Sequence, residues 1–287
     1  MNTKLNQEEI IQYYDNCQID YEVVWHLKSR MAMHYGYFEK NTKRLRDALT
    51  NMNKAFADFG KMRPNTHILD AGCGVGGSSI FLAQNYNAQT VGITLSDKQV
   101  AKSRENAIKH GVANKCVFEK QNYLRTNFPD NSFDFVWAIE SVCYAVDKAD
   151  FLREAYRILK PGGKVMIADF FQNDDDNNKD SIKDLKLMQK WTKTWAISSY
   201  AGVNEFWEKL NETGFVETEK KDIGEYVQKS IRRLYVCSQI GLPITYVAQM
   251  LGYRNRTQTA NTWSSYYQYK AWKKDLWRYL FFQGTKP

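Results

Sequence analysis

The chain has little of what a cross-linked or metal-clipped protein needs. Its five cysteines, Cys17, Cys73, Cys116, Cys143 and Cys237, form no CxxC pair, and their number is odd. That argues against a disulfide framework and a zinc site, and a reducing cytoplasm is the expected compartment. The four histidines, His26, His34, His67 and His110, show no metal-ligand spacing, so no metal centre is expected. No apolar run approaches the length of a membrane span, and MNTKLNQEEIIQYY lacks the apolar core of a signal peptide. There is no internal repeat, and the only long single-sign charge block is the short acidic run Asp174 to Asp176. A Lys/Arg-rich appendage of the kind that grips nucleic acid is also missing.

What is present is enough apolar material for a full core, with 43% of 287 residues hydrophobic. That suits one domain with an elaboration or a small lobe. The formal net charge is +8, from 40 Lys+Arg against 32 Asp+Glu. The charges are interspersed, so the surplus reads mainly as solubility, with weak attraction to anionic lipid or nucleic acid as the lesser reading.

Hydrophobic spacing organises the chain. Apolar positions at helical intervals predict two short helices over 6–33, and peripheral lipid contact through them stays open beside packing over the active site. HYGYF at 34–38 interrupts them, and an amphipathic helix follows over roughly 42–60 until Pro64 stops it. From residue 67, short apolar runs alternate with helical segments. HILDAG, QTVGITL, KCVFEKQ, SFDFVWAIES and KVMIADFF read as strands. SSIFLAQNY, SDKQVAKSRENAIKHG and KADFLREAYRILKPGG read as helices, the last closed by a Pro-Gly-Gly turn. Such alternation means βαβ units and a parallel sheet covered on both faces. After 172 the pattern loosens into a polar loop, aromatic-rich helices and a final strand near 277–283.

The stretch LDAGCGVGG at 69–77 lies between a strand and a helix. Glycines there let the backbone approach a ligand at the free N–H groups of a helix N-terminus. Gly72, Gly74 and Gly76 read as GxGxG, and Gly77 formally completes GxGxxG as well; no Lys-Ser/Thr follows, so a P-loop is absent. Asp70 would repel a phosphate and suits a ligand with a cationic centre and an amino-acid group.

LDAGCGVGG resembles the first motif of class I S-adenosylmethionine-dependent methyltransferases. VGITLSDKQV at 91–100, FPDNSFDFVWAIES at 128–141 and LREAYRILKPGGKVMIADF at 152–170 follow in register. The resemblance implies an α/β fold: a doubly wound, seven-stranded Rossmann-like sheet with an N-terminal helical lid and an inserted helical cap. It divides the chain into a lid (1–60), a cofactor-binding core (61–172), and a substrate cap with closing strands (173–287). Many such enzymes end the second strand in an acid that binds ribose. Here GITLS and then Gln99 resemble the subgroup of sterol and tocopherol C-methyltransferases and cyclopropane fatty acid synthases. By that resemblance S-adenosyl-L-methionine is the cofactor, held by Tyr35, Gly36, Asp70, Gly72, Gly74, Gly76, Thr94, Leu95, Gln99, Asn122 and Tyr123, with His34 as a neighbour. Relatives often carry Gly-Asp-Ala where this chain has Gln121-Asn122-Tyr123. The Asn122 amide oxygen can still accept a bond from the adenine amino group, without the charge.

Glu140, at the C-terminal end of the fourth strand, is by the same resemblance the functional carboxylate, as cation stabiliser or base. Asp169 either faces the pocket or caps a turn, Cys143 is a candidate pocket lining, and Cys73 reads as packing. Asp134, His67 and His110 read as structural. Some of the aromatics of 181–283 are expected to line an apolar cavity. The expected substrate is a small, apolar molecule, first an isoprenoid or lipid-like one methylated on carbon. N- or O-methylation of a small natural product and cyclopropanation are the alternatives. A nucleic-acid methyltransferase is disfavoured, because AIESVCYA stands where base methylases often carry Asn/Asp-Pro-Pro-Tyr/Phe.

Overall fold

The computed structural model describes residues 7–24, 27, 31–175, 181–198 and 200–287. The alternating segments form strands β1 (His67–Ala71), β2 (Gln89–Thr94), β3 (Cys116–Lys120), β4 (Phe133–Ile139), β5 (Leu159–Gln172), β6 (Val216–Asp222) and β7 (Trp277–Thr285). They make one seven-stranded sheet in the order β3-β2-β1-β4-β5-β7-β6. β1 to β5 pair in parallel, whereas β7 runs antiparallel between β5 and β6, so the sheet is mixed where pattern alone implied a parallel one. Strand order reverses between β1 and β4. Their C-terminal ends feed crossovers on opposite sides and leave a crevice between them, the usual ligand position in open α/β sheets.

The helices are α1 (Gln7–Val24), α2 (Leu45–Phe59), α3 (Gly77–Tyr86), α4 (Asp97–Lys109), α5 (Lys148–Ile158), α6 (Ile182–Thr194), α7 (Val203–Glu212), α8 (Gly224–Met250) and α9 (Arg256–Trp272). Within the first stretch expected to be helical, the described residues include the 18-residue helix α1 and the helical Leu27; His26 and the rest of 25–30 lie outside the described residues. The proposed Pro-Gly-Gly turn lies inside β5, whose pairing with β4 slips between Phe133 and Phe135. None of the helices among the described residues is long and apolar enough to cross a membrane.

The period-two pattern of the central strands puts apolar residues on both faces. Phe135 and Trp137 of β4, with Met166, Ala168 and Phe170 of β5, join one cluster with Met52 and Phe56 of α2. Val136, Val165 and Ile167 face the other way, against Phe151 of α5 and Phe206 of α7. The C-terminal aromatics extend the first cluster. The Trp191 ring lies 4.7 Å from Tyr200 and 4.9 Å from Trp277, and Phe170 lies 5.2 Å from Tyr279. Trp191→Ala removes a fully buried side chain at the centre of this stack. It should cost about 3–5 kcal/mol, read from the urea unfolding midpoint at unchanged slope.

Candidate active site

The crevice opens into a cavity of ≈ 730 Å³, within the usual range of ligand pockets, about 300–1,000 Å³. Its floor is the turn from β1 into α3. Gly72 holds φ +91°, and a Cβ there would lie 2.4 Å from Ser141 Cβ. Only glycine lets the β1 turn and the end of β4 touch this closely. Ser141 Oγ donates to the Ala71 carbonyl at 2.6 Å, sewing the two strand ends together. Asp70, buried at the cavity wall, accepts from Ser79 Oγ at 2.6 Å. Burial pushes its carboxyl up to about 6, against the lowering effect of that bond.

The next two strand ends supply polar walls. Ser96 caps α4 by accepting from Gln99 N at 3.4 Å, and the Thr94 hydroxyl donates to Gln99 Oε1. Thr94, Leu95, Ser96 and Gln99 all face the cavity. After β3, Asn122 Oδ1 accepts from Leu124 N at 2.9 Å, so one lone pair of the oxygen assigned to adenine is used locally. Tyr123 donates its hydroxyl to Ser141 O at 2.8 Å and sets its ring edge-on to Phe151.

Glu140 follows β4 with φ +48°, a left-handed conformation unusual for a side chain of this size. Its N–H bonds the Ala168 carbonyl on β5 at 2.8 Å. Oε1 accepts from Tyr35 N at 2.6 Å and from the Tyr279 hydroxyl at 2.9 Å. The residue is only half-buried by surface because it borders the cavity. The protein packed around the carboxyl still makes its charge costly. Burial raises its pKa well above the usual carboxylate range; the two bonds pull down and the nearby Asp169 charge adds to the rise.

Beside it, His34 Nδ1 lies 2.8 Å from the Tyr35 carbonyl, which only an N–H can satisfy. Nε2 is then the acceptor, 3.3 Å from Asn53 Nδ2. Burial lowers the ring to about 4, so it is neutral at pH 7. The cavity is roofed by α1, through Glu8, Ile10, Ile11 and Tyr14, and by Met31 to Met33. The Tyr14 ring lies 5.6 Å from Tyr144, which is also on the wall.

Nine of the twelve residues assigned from sequence therefore meet at one cavity: Asp70, Gly72, Gly74, Thr94, Leu95, Gln99, Asn122, Tyr123 and Glu140. His34 joins them. Tyr35, Gly36 and Gly76 do not line it. The Tyr35 ring packs against Phe170 and Tyr279, and only its backbone reaches the site, through Glu140. Gly36 N donates to Ser230 Oγ, and a Cβ there would sit 2.6 Å from that of Ala48. Gly76 is the N-cap of α3 and backs onto Phe118. Asp169 and Cys143 lie behind the wall, with Cys143 N donating to Asp169 Oδ2 at 2.9 Å. The aromatics of 181–283 do not line the cavity either; Trp191, Trp195, Tyr200 and Trp277 stack with one another and with Phe170 of the sheet, and Tyr253 is exposed. Sequence reasoning missed Ser141, Tyr144, Tyr14 and Tyr279. Ser141 and Tyr144 sit in the quoted AIESVCYA, and their nearness to Glu140 was the available signal.

Residues 69–167 match the family model described as a methyltransferase domain. A relative, 2-methyl-6-phytyl-1,4-hydroquinone methyltransferase of Synechocystis sp., is 37% identical over 154 residues, 54% of this chain and 48% of that one. The chain thus spans about half the length of that curated relative. Two solved structures share the fold over nearly the whole chain. The [4+2]-cyclase SpnF has a TM-score of 0.79 at 21% identity and covers 99% of this chain and 97% of its own. Geranyl diphosphate C-methyltransferase from Streptomyces coelicolor, solved with Mg2+, geranyl-S-thiolodiphosphate and S-adenosyl-L-homocysteine, has a TM-score of 0.76 at 17% identity and 98% coverage of each. Residues 69–167 thus resemble a methyltransferase domain, and the sheet around them has the Rossmann-like fold of these solved structures. The donor set fits S-adenosylmethionine: a buried carboxylate beside a glycine cradle at one end, and hydroxyl and amide groups at the other.

The raised Asp70 pKa has a thermodynamic consequence. Between the unfolded value of 3.8 and about 6 the folded state holds more protons at this group, so its contribution to stability falls as pH rises through that window. Asp70→Asn should remove a fall of roughly 2 kcal/mol, measured as the difference in unfolding free energy between pH 4 and pH 7. An unchanged pH slope would show that Asp70 titrates normally.

Proposed function

We propose that the chain transfers a methyl group from S-adenosylmethionine to a carbon atom of a small, apolar, isoprenoid-like acceptor. The observation that carries this reading is Glu140, a carboxyl with one oxygen pinned twice, in the cavity the cofactor residues enclose. Similarity to a phytyl-hydroquinone methyltransferase supports the acceptor class.

Asp70, Gly72, Gly74, Thr94, Leu95, Gln99, Asn122 and Tyr123 would hold the cofactor, which supplies an electrophilic methyl on a sulfonium. Much of the chain's contribution is then orientation and exclusion of water. An acceptor carbon forms its bond to the methyl as the carbon–sulfur bond breaks. The cation left on the acceptor loses a proton, and that proton needs a base. His34 is a poor base, since one ring nitrogen donates to Tyr35 O and the other accepts from Asn53. Glu140 remains. Positive charge beside it lowers its pKa and makes the carboxylate available both to stabilise the cation and to take the proton. The rings of Tyr14 and Tyr144 add negative faces. In this reading residues 1–60 act as the lid, 61–172 as the core, and 173–287 supply the strand that places Tyr279 behind Glu140.

The test is methyl-labelled cofactor with a panel of prenylated quinols, prenyl diphosphates, sterols, fatty acyl lipids, phenols and amines, read by mass spectrometry. The expected result is label on carbon. Glu140→Gln should lower turnover by roughly 10²–10⁴-fold while cofactor affinity, measured by calorimetry, stays within about threefold. Label on nitrogen or oxygen would sink the carbocation mechanism and recast Glu140 as a group that orients an amine or hydroxyl.

A further inference from the structure

The charge surplus is not spread through the molecule. Residues 226–274 hold eight cations, Lys229, Arg232, Arg233, Arg254, Arg256, Lys270, Lys273 and Lys274, and no aspartate or glutamate. That equals the net charge of the whole chain, +8, so the remainder is balanced. This segment is the helical hairpin of α8 and α9. Within it, residues 234–253 carry no charge at all.

The uncharged stretch includes an apolar stripe that the fold leaves open. Val236, Ile240, Ile244, Val247 and Leu251 recur at intervals of three and four, on one face of α8 and its C-terminal turn, and all are exposed. The row extends roughly 22 Å along the helix axis. At the hairpin tip Met250 is 88% and Tyr253 82% exposed. Arg232 continues the row one turn before Val236, and Arg256 follows the tip; both are exposed, and among the described residues neither has an acidic partner. The opposite side of the hairpin is occupied by α1, through Arg254 with Asp20 and Asn261 with Tyr13.

We propose that this hairpin seats on an anionic lipid surface. Its apolar stripe and tip enter the headgroup boundary, and the flanking arginines meet the lipid charge. The combination of an exposed apolar helix face, basic flanks and no acid in the segment is what an interfacial element requires. A second copy of the chain is the poorer occupant. A two-fold contact would set the stripes' flanking Arg232 and Arg256 of two copies against each other, with no acid from residues 226–274 of either copy between them. The inference concerns where the protein sits and does not depend on which reaction it performs.

The experiment is co-sedimentation of the full chain with phosphatidylcholine vesicles, with and without 30% phosphatidylglycerol, at low and high salt. The expected result is binding to the anionic vesicles that is roughly tenfold weaker on neutral ones and declines with salt. The triple substitution Ile240→Ser, Ile244→Ser, Val247→Ser should reduce binding by roughly tenfold or more, as should Arg232→Glu with Arg256→Glu. These positions are exposed, so thermal melts should match wild type; Met250→Ser with Leu251→Ser at the tip serves if the triple variant melts early. Failure to bind anionic vesicles overturns the proposal, as does binding that none of these substitutions alters. Self-association that the stripe variant abolishes, without vesicle binding, would assign the face to a second copy.

Discussion

The site depends on the contact between the turn after β1 and the end of β4. Gly72 and Ser141 approach so closely that a single added carbon at position 72 would overlap the serine side chain. The Ser141 hydroxyl then ties the two strand ends together. This contact closes the crevice at the point where strand order reverses. It sets the glycine turn on one side of the cavity and Glu140 on the other, so each residue placed there inherits its geometry from the seam.

Glu140 shows how the fold holds a carboxyl against its preferences. Its backbone is left-handed, burial makes its carboxyl costly to ionise, and Asp169 adds to that cost. Sites of this kind persist when the surroundings over-determine them. Here the surroundings are the Ala168 carbonyl, the Tyr35 amide and the Tyr279 hydroxyl, drawn from three separate parts of the chain.

That Asp70, Gly72, Gly74, Thr94, Leu95 and Gln99 share one cavity wall was largely legible in the sequence because each part of the wall is local. A strand, a glycine turn and a helix follow one another in LDAGCGVGGSSIF, and the same holds for GITLSDKQ. Contacts between distant segments were not legible. Tyr279 reaches Glu140 only because β7 inserts antiparallel beside β5, in register with Phe170. Tyr35 and Gly36 lie in the right segment, yet the ring turns toward Phe170 and the glycine serves helix packing, a choice that depends on neighbours far along the chain. The aromatics of 181–283 misled for a related reason. Abundance suggested a pocket, but Trp191 packs against Tyr200 and Trp277 instead. The charge bias of the helical hairpin, by contrast, could have been counted from the sequence; averaging over the whole chain concealed it.

Among the attachments of helix α1, two differ in shelter. Toward the sheet it is held by Asp15 with Lys98, an exposed pair of the sort worth about 0–1 kcal/mol. Toward the helical hairpin it is held by the two-pronged bond of Arg254 to Asp20, both sheltered, and by Tyr13 on Asn261. The roof of the cavity is thus tied to the hairpin by sheltered bonds and to α4 by an exposed one, so what holds the hairpin in place also holds the roof.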